Sequence, residues 1–351
     1  MRRINRILEK DRVTEEDYIY FCLEACASSC RFGKIRLTEL GGKKYELRGN
    51  LNVLLSMPLG AGKTTSVISI PNSVYTNRVT FASLVGTINK DGEWVEGELI
   101  RSAGKVLILD EFSYIPTDVK EVLNQVLEQH PFSRSVGLKI REKRRKTSKY
   151  LKYLVDKNKI FLDVRLSCIA CSTKVRRDHG VVSRAWLTRF LPIYFFPPPE
   201  YYERLTIGDT YFKVNPKRLY DGDFSFREYP KAHEYFWSGI KKKPYYKYFK
   251  VRYSEFGYLA RLLGDMIRLS AFLTALDGRK VIKFNDFKLI FDKFSDIVVW
   301  NFISTGLTEV ELMILHNPNL GNGELANLVG VSEKTVQRRR NKLKELFLIG
   351  R

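Results

Sequence analysis

The stretch that most constrains this chain runs from Arg48 to Ser66, RGNLNVLLSMPLGAGKTTS. Leu51 to Leu55 read as a buried aliphatic strand, Pro58 and Gly60 turn the chain, and a helix then begins with its first backbone N–H groups aimed at one point. Such a point attracts phosphate. A lysine placed there reaches outer phosphates, and the hydroxyl after it suits magnesium. Pro58, Leu59, Gly60, Ala61, Gly62, Lys63, Thr64 and Thr65 are therefore the candidate nucleotide loop, with Thr64 as a metal ligand. Met57 stands where such loops usually carry their first glycine, so the pattern is bent.

A second signal lies downstream in KVLILDEF, where the apolar run Val106 to Leu109 ends in Asp110 and Glu111. A buried strand delivering two carboxylates at its carboxyl end places them where ligands bind in an open parallel sheet. One acid to order magnesium, Asp110, and a neighbour to polarise a water, Glu111, are the parts a phosphate loop needs for hydrolysis. Alone, the acidic pair would read as a solvated strand end.

The chain has 351 residues, enough for two or three domains, and a net charge of +21, which favours a polyanionic partner: nucleic acid first, an acidic membrane surface second. No run of 18 apolar residues occurs and the amino terminus lacks a signal-peptide core, so the expectation is a soluble, cytoplasmic, DNA-associated protein with no membrane partner. Five cysteines do not make a disulfide framework. Cys22, Cys26 and Cys30 lie four apart on a helix and read as a packed face rather than a metal site; Cys168 and Cys171 read as core on opposite faces of a strand.

Residues 14 to 30 predict a helix capped by Thr14. Val79 to Ile100 predicts a hairpin around Asn89-Lys90-Asp91-Gly92. Asp118 to Gln129 is amphipathic. Lys139 to Lys159 holds ten basic residues against two acidic ones. It is either a solvated face or an arm that tracks a phosphate backbone through Lys139, Arg141, Lys143, Arg144, Arg145 and Lys146, with Tyr150 and Tyr153 available for stacking. Ile160 to Cys171 reads as one long strand ending at Ser172-Thr173. Residues 200 to 250 are aromatic-rich without clear periodicity. Tyr258 to Leu276 and Asn285 to Phe302 predict helices. The segment GELANLVGVSEKTVQRRRNKLKELFLIGR predicts a helix-turn-helix whose second helix carries Lys334, Arg338, Arg339, Arg340 and Lys342 as candidate DNA contacts, or else a three-helix protein-docking module.

In order, RGNLNVLLSMPLGAGKTT, TFASLVGTINKDGEWVEGELI, GKVLILDEF, VLNQVLEQHPFSRSVG, the strand into Ser172-Thr173, SRAWLTRFLPIYF and RLLGDMIRLSAFLTALDGRKV resemble the motor domain of the minichromosome maintenance (MCM) helicases of the AAA+ superfamily. The likeness spans residues 46–196 and 255–300. It implies an α/β P-loop NTPase core with a parallel sheet flanked by helices, a helical lid and a C-terminal helix-turn-helix or winged-helix domain. The implied division is 1–45 as an N-terminal helical extension, 46–199 as the ATPase core with a basic hairpin insert, 200–250 as a linker or insertion, 251–302 as the lid and 303–351 as the DNA-binding domain.

Carried over by position, the resemblance implies that Lys63 meets the β- and γ-phosphates of ATP and that Thr64 and Asp110 hold Mg2+. Glu111 would activate water, and Thr173 would take the first-sensor place that the family gives to asparagine, with Ser172 as the other candidate. Arg189 would be an arginine finger reaching into a neighbouring subunit's site, and Arg261 the second-sensor arginine. Sites between subunits imply a homo-oligomer, most often a hexameric ring. Two hairpins, Thr80 to Leu99 and the region Ser133 to Ser167, would line the channel, with Lys139 or Arg134 in the channel position. The family's large N-terminal domain has no counterpart in residues 1–45, so ring formation would rest on the motor, the basic arm, DNA or other replication proteins. The expected function is an ATP-dependent DNA translocase or helicase in replication. The rivals are an ATP-switched initiator or regulator that assembles on DNA without unwinding it, and an assembly ATPase that remodels nucleoprotein.

Overall fold

A computed structural model of the chain describes residues 2–38, 45–77, 79–91, 93–135, 144–156, 159–173, 189–197, 199–206, 219–252 and 255–346, with 212, 214, 216 and 348. At its centre five strands, β1 (Val53–Ser56), β2 (Ser73–Thr76), β3 (Val106–Leu109), β4 (Ser167–Ser172) and β5 (Leu191–Tyr194), form one sheet in the order β5-β1-β4-β3-β2. Every neighbouring pair is parallel. Crossovers between parallel strands put cover on both faces, which is why β1 and β3 read as apolar runs rather than as alternation.

Successive side chains nonetheless point to opposite faces. Val53, Leu55, Val106, Ile108, Ile169 and Cys171 enter one core, while Leu54, Leu107, Leu109, Cys168 and Ala170 enter the other. The two cysteines of β4 thus divide between faces as the sequence implies. The first face is covered by helix Glu15–Ser28 and by the long helices Gly257–Leu276 and Phe284–Ser304, in a hydrophobic cluster continuous from Ile4 to Leu348. Thr14 and Asp17 form a reciprocal capping box that fixes the start of the first helix. The Cys26 thiol donates to the Cys168 carbonyl at 3.5 Å and the Cys30 thiol to the Gly104 carbonyl at 3.4 Å. Burial pushes Cys30 up to about 12. These are packed, unreactive thiols, and the described residues contain no cluster of three or more His, Cys, Asp or Glu that could hold a metal ion.

The second face is covered by helix Thr117–Leu127 and by a four-stranded antiparallel sheet. Here the structure departs from the sequence reading. Ile160 to Cys171 is not one strand: Lys159–Val164 belongs to the antiparallel sheet, and the chain breaks at Arg165-Leu166 before β4 enters the parallel one. An apolar run cannot report such a break, because both pieces are buried. The hairpin predicted over Val79 to Ile100 is confined to strands Gly86–Ile88 and Trp94–Glu96, flanked by short helices Phe81–Val85 and Glu98–Arg101. Residues 200 to 250, which carry no clear periodicity, hold strand Gly222–Phe226 and helices Tyr229–Lys241 and Tyr246–Val251. That strand pairs in parallel with Phe32–Leu37.

Arg268 and Asp265, both on Gly257–Leu276, form an ion pair at 2.7 Å with 4% and 3% of their side chains exposed, and Arg268 Nε also donates to the Arg48 carbonyl at 3.1 Å. Removing the cation leaves a carboxylate buried without its partner. Arg268→Met is therefore expected to cost about 3–5 kcal/mol, read as a lower urea midpoint at unchanged slope.

Candidate active site

The phosphate loop leaves β1 at Ser56, and the Met57 N–H donates to the Ser172 carbonyl at 3.2 Å, which ties its first residue to β4. Gly60 (φ 77°) and Gly62 (φ 75°) are left-handed, a conformation that side-chain-bearing residues rarely adopt. Gly62 has a second reason to lack a side chain, since a Cβ there would lie 3.0 Å from Leu205 Cδ1. Helix Lys63–Ile68 follows with Gly62 at its N-cap, so no capping side chain takes its leading N–H groups. Lys63 is 8% exposed and its ammonium donates to the Met57 and Pro58 carbonyls at 3.0 and 3.1 Å. Burial lowers its pKa, against the opposing pull of Cys171 and Asp110. The loop is braced from outside by helix Pro199–Thr206, whose Tyr201 hydroxyl donates to the Ala61 carbonyl at 3.0 Å.

Asp110 follows β3 and lies beside the loop. Its Oδ2 accepts the Thr64 hydroxyl at 2.8 Å and the Tyr75 phenol at 2.8 Å, and its Oδ1 accepts the Glu111 N–H at 2.9 Å. Burial and then the hydrogen bond to Asp110 push Tyr75 up to about 12, so it stays a donor across the neutral range. Glu111 adopts φ 52° and ψ 38°, uncommon for a glutamate, and its side chain is exposed. Backbone held in this region is a feature that clusters at working sites. Ser172 is buried with its hydroxyl against that of Ser113, whereas Thr173, next in the chain, is exposed. The site is thus assembled from the carboxyl ends of β1, β3 and β4. An ammonium, a glycine cradle, and a hydroxyl and carboxylate within hydrogen-bond reach make a donor set that fits a nucleotide with Mg2+, a cation that takes hard oxygen ligands.

Arg189 precedes β5 and therefore sits at the amino end of the same sheet. The four residues of a core strand span roughly 13 Å, so one chain cannot bring Arg189 to its own phosphate loop without rebuilding the sheet. Its Nε donates to the Asn124 carbonyl at 3.2 Å and lies 3.8 Å from Glu128 Oε1. Arg261 is at this end too, with its guanidinium 2.7 Å from the same Oε1. The structure brings the two arginines together and keeps both away from Lys63.

Of the basic candidates, Lys139, Arg141 and Lys143 lie outside the described residues. Arg144, Arg145 and Lys146 lie on strand Arg144–Ser148, exposed along its whole length, and Lys146 reaches Glu96 of the first hairpin at 3.2 Å. Arg134 packs over the Phe81 ring. The tyrosines expected to stack with bases do other work. Tyr153 is 3% exposed, and Tyr150 donates to Asp221 at 2.5 Å.

At the carboxyl end, helices Glu309–His316, Asn322–Val329 and Glu333–Glu345 pack together, with Gly330 left-handed at the turn. Arg339 and Lys342 pair with the fully buried Glu311 at 3.2 and 2.7 Å, and Arg340 donates to the Leu320 carbonyl. These three brace the module from within, whereas Lys334 and Arg338 are exposed. Periodicity gives the sign of such a helix and not the partners of its charges. Sequence reasoning also missed Tyr75, Tyr201 and Leu205, which reach the phosphate loop and Asp110 across long separations with no motif to mark them, and it gave no role to Glu128, which joins Arg189 and Arg261 at the other end of the sheet.

No protein-family model matches the chain, and no curated protein sequence does. Among solved structures it is similar to a full-length MCM homolog from Methanopyrus kandleri, with 14% identity and a TM-score of 0.49 over 86% of this chain. The match spans 58% of that longer protein. At that degree of superposition, function rests on the side chains described above. No helix among the described residues is long and apolar enough to cross a membrane.

Proposed function

We propose that this chain is an ATPase of the MCM-like AAA+ type, hydrolysing ATP at sites shared between copies of itself and using that hydrolysis to move along or unwind DNA in replication. The observation that carries the reading is the 2.8 Å contact between Thr64 and Asp110 beside the buried Lys63. In this reading the Lys63 ammonium exchanges the Met57 and Pro58 carbonyls for the β- and γ-phosphates. Thr64 and Asp110 are the residues that would hold Mg2+, which when bound neutralises charge on the phosphate oxygens. Glu111 orients the attacking water and accepts its proton, with Thr173 as a hydroxyl beside it. Arg189 and Arg261 reach the γ-phosphate of the adjoining subunit, so hydrolysis depends on assembly. A ring, expected to be hexameric, follows from a contact that joins one end of the sheet to the other end of the next copy's sheet.

The test is strand separation of a forked DNA with ATP and magnesium, run beside Lys63→Ala and Arg189→Ala. Unwinding that both variants lose supports the motor. ATP-dependent DNA binding without unwinding favours the initiator reading instead.

The exposed strand Arg144–Ser148 is proposed to follow the DNA backbone. The logarithm of DNA affinity should then fall steeply with the logarithm of salt. Changing Arg144, Arg145 and Lys146 together to Gln is expected to flatten that slope by roughly 2–3, a little under one for each phosphate that is no longer neutralised. An unchanged slope would make the strand an ordinary solvated edge, which like charges also protect from unwanted pairing.

A further inference from the structure

We propose that Glu128 is the positioning residue that holds Arg189 and Arg261 together as one phosphate-facing pair, an inference that rests on the function proposed above. The three side chains come from three elements. Glu128 ends helix Thr117–Leu127, Arg189 precedes β5, and Arg261 lies on helix Gly257–Leu276. Glu128 Oε1 lies 2.7 Å from the Arg261 guanidinium and 3.8 Å from Arg189 Nε, while Oε2 faces Arg48 Nε at 3.9 Å. Guanidiniums gathered this closely repel one another, and the carboxylate set among them is what lets them share a site.

The back of this arrangement is fixed. Arg48, 4% exposed, donates to the Leu127 carbonyl and, at 2.8 Å, to the Arg189 carbonyl. Asn52 Nδ2 lies 3.2 Å from the same Arg189 oxygen. The main chain of both Arg189 and the Glu128 helix end is therefore clamped from inside, and the Arg189 side chain is held jointly by the Asn124 carbonyl, which accepts from its Nε at 3.2 Å, and by the Glu128 carboxylate at 3.8 Å. Arg189 and Arg261 are 22% and 24% exposed, so they form the open edge of the cluster and Arg48 its closed wall.

The cluster gathers cations where a phosphate could arrive. Arg268 is paired with Asp265, and three guanidiniums, Arg48, Arg189 and Arg261, lie 3.9, 3.8 and 2.7 Å from the carboxylate of Glu128. Burial works to raise the Glu128 carboxyl, but Arg48 and Arg261 outweigh it and hold the group below its ordinary value, so its charge persists through the neutral range. Burial dominates at Arg48 and brings it down to about 9, as expected for a guanidinium with too little opposing charge. An anion arriving at the open edge supplies that charge, and the terminal phosphate of a neighbour's nucleotide has the required chemistry.

The test uses the full chain and subunit mixing. Glu128→Gln is expected to lower ATP hydrolysis on the order of 10²-fold, the cost of misplacing a reacting partner by about 1 Å. Its ATP affinity should change by less than about twofold, because the arginine pair acts mainly on charge that develops in the transition state. Lys63→Ala subunits, inactive but with an intact arginine end, should rescue it. In an equal random mixture roughly one interface in four pairs an intact loop with intact arginines. Glu128→Asp keeps the charge and withdraws the oxygen by one methylene; it is expected to lose about tenfold and to be rescued in the same way. Wild-type rates in both variants would overturn the proposal, as would losses that Lys63→Ala subunits do not rescue. A parallel mixture of Arg189→Ala with Lys63→Ala separates the two levels. If it recovers activity and the Glu128 mixtures do not, only the role of Glu128 falls; if it does not recover either, the shared-site reading falls too.

Discussion

Arg189→Ala is expected to lower the rate of ATP hydrolysis by about 10³-fold or more while the same subunit keeps its ATP affinity within about twofold. The size follows from what an arginine does at a phosphoryl-transfer site, where charge spreads over the transferred group and a fixed guanidinium meets it without reorganisation. The split between rate and affinity follows from where the charge develops, because an interaction made mainly in the transition state lowers the rate and leaves ground-state binding nearly unchanged. Arg189 stands before β5 and Lys63 after β1, at opposite ends of parallel, hydrogen-bonded neighbours, so the contact is made to the adjoining copy's nucleotide. Nucleotide titration and steady-state hydrolysis on one preparation separate the two effects. An affinity loss equal to the rate loss would contradict a role confined to the transition state.

Lys63→Ala is expected to cost about 10²–10³-fold in hydrolysis and to weaken ATP binding as well, because its ammonium meets phosphate both before and during the reaction. The variant should fold. The two hydrogen bonds it removes end on the Met57 and Pro58 carbonyls, in a loop still held by Tyr201 and by the tie from Met57 to β4. Far-ultraviolet circular dichroism should be unchanged while fluorescent-nucleotide binding falls. Loss of rate with full affinity would contradict the assigned role.

The arrangement around Lys63 proposed to hold phosphate was legible because its residues are contiguous in sequence. Lys63 and Thr64 follow one apolar run and Asp110 and Glu111 follow another, and the carboxyl ends of these two parallel strands lie on the same edge of the sheet with only β4 between them. The 2.8 Å contact from Thr64 to Asp110 is that consequence in coordinates. The helix capped by Thr14 and the last two C-terminal helices were readable for a similar reason, since caps and turns are local, whereas Glu309–His316 before them was not read. What the sequence hid is non-local. Tyr75 supports Asp110 from β2, Tyr201 supports the loop from an aromatic-rich stretch without a clear period, and Glu128 gathers arginines from two distant segments. Basic runs carry a specific ambiguity. Charge says where a polyanion is welcome only after internal partners are subtracted, and Glu311 claims Arg339 and Lys342 before any DNA can.

Parallel strands also explain why the arginine end went unplaced. Sequence order gives Arg189 a position just before β5, but only the register of β5 against β1 shows that this is the end remote from the loop. Arg261, on a helix of the second layer, joins it there through Glu128.

The most direct test of the central claim is ATP hydrolysis per subunit, with magnesium and DNA present, measured across a wide range of protein concentration. A site completed by a second copy predicts a specific rate that rises with concentration, reaches a plateau and disappears in Lys63→Ala. A rate per subunit that is the same at every concentration, or no hydrolysis at any, would contradict it.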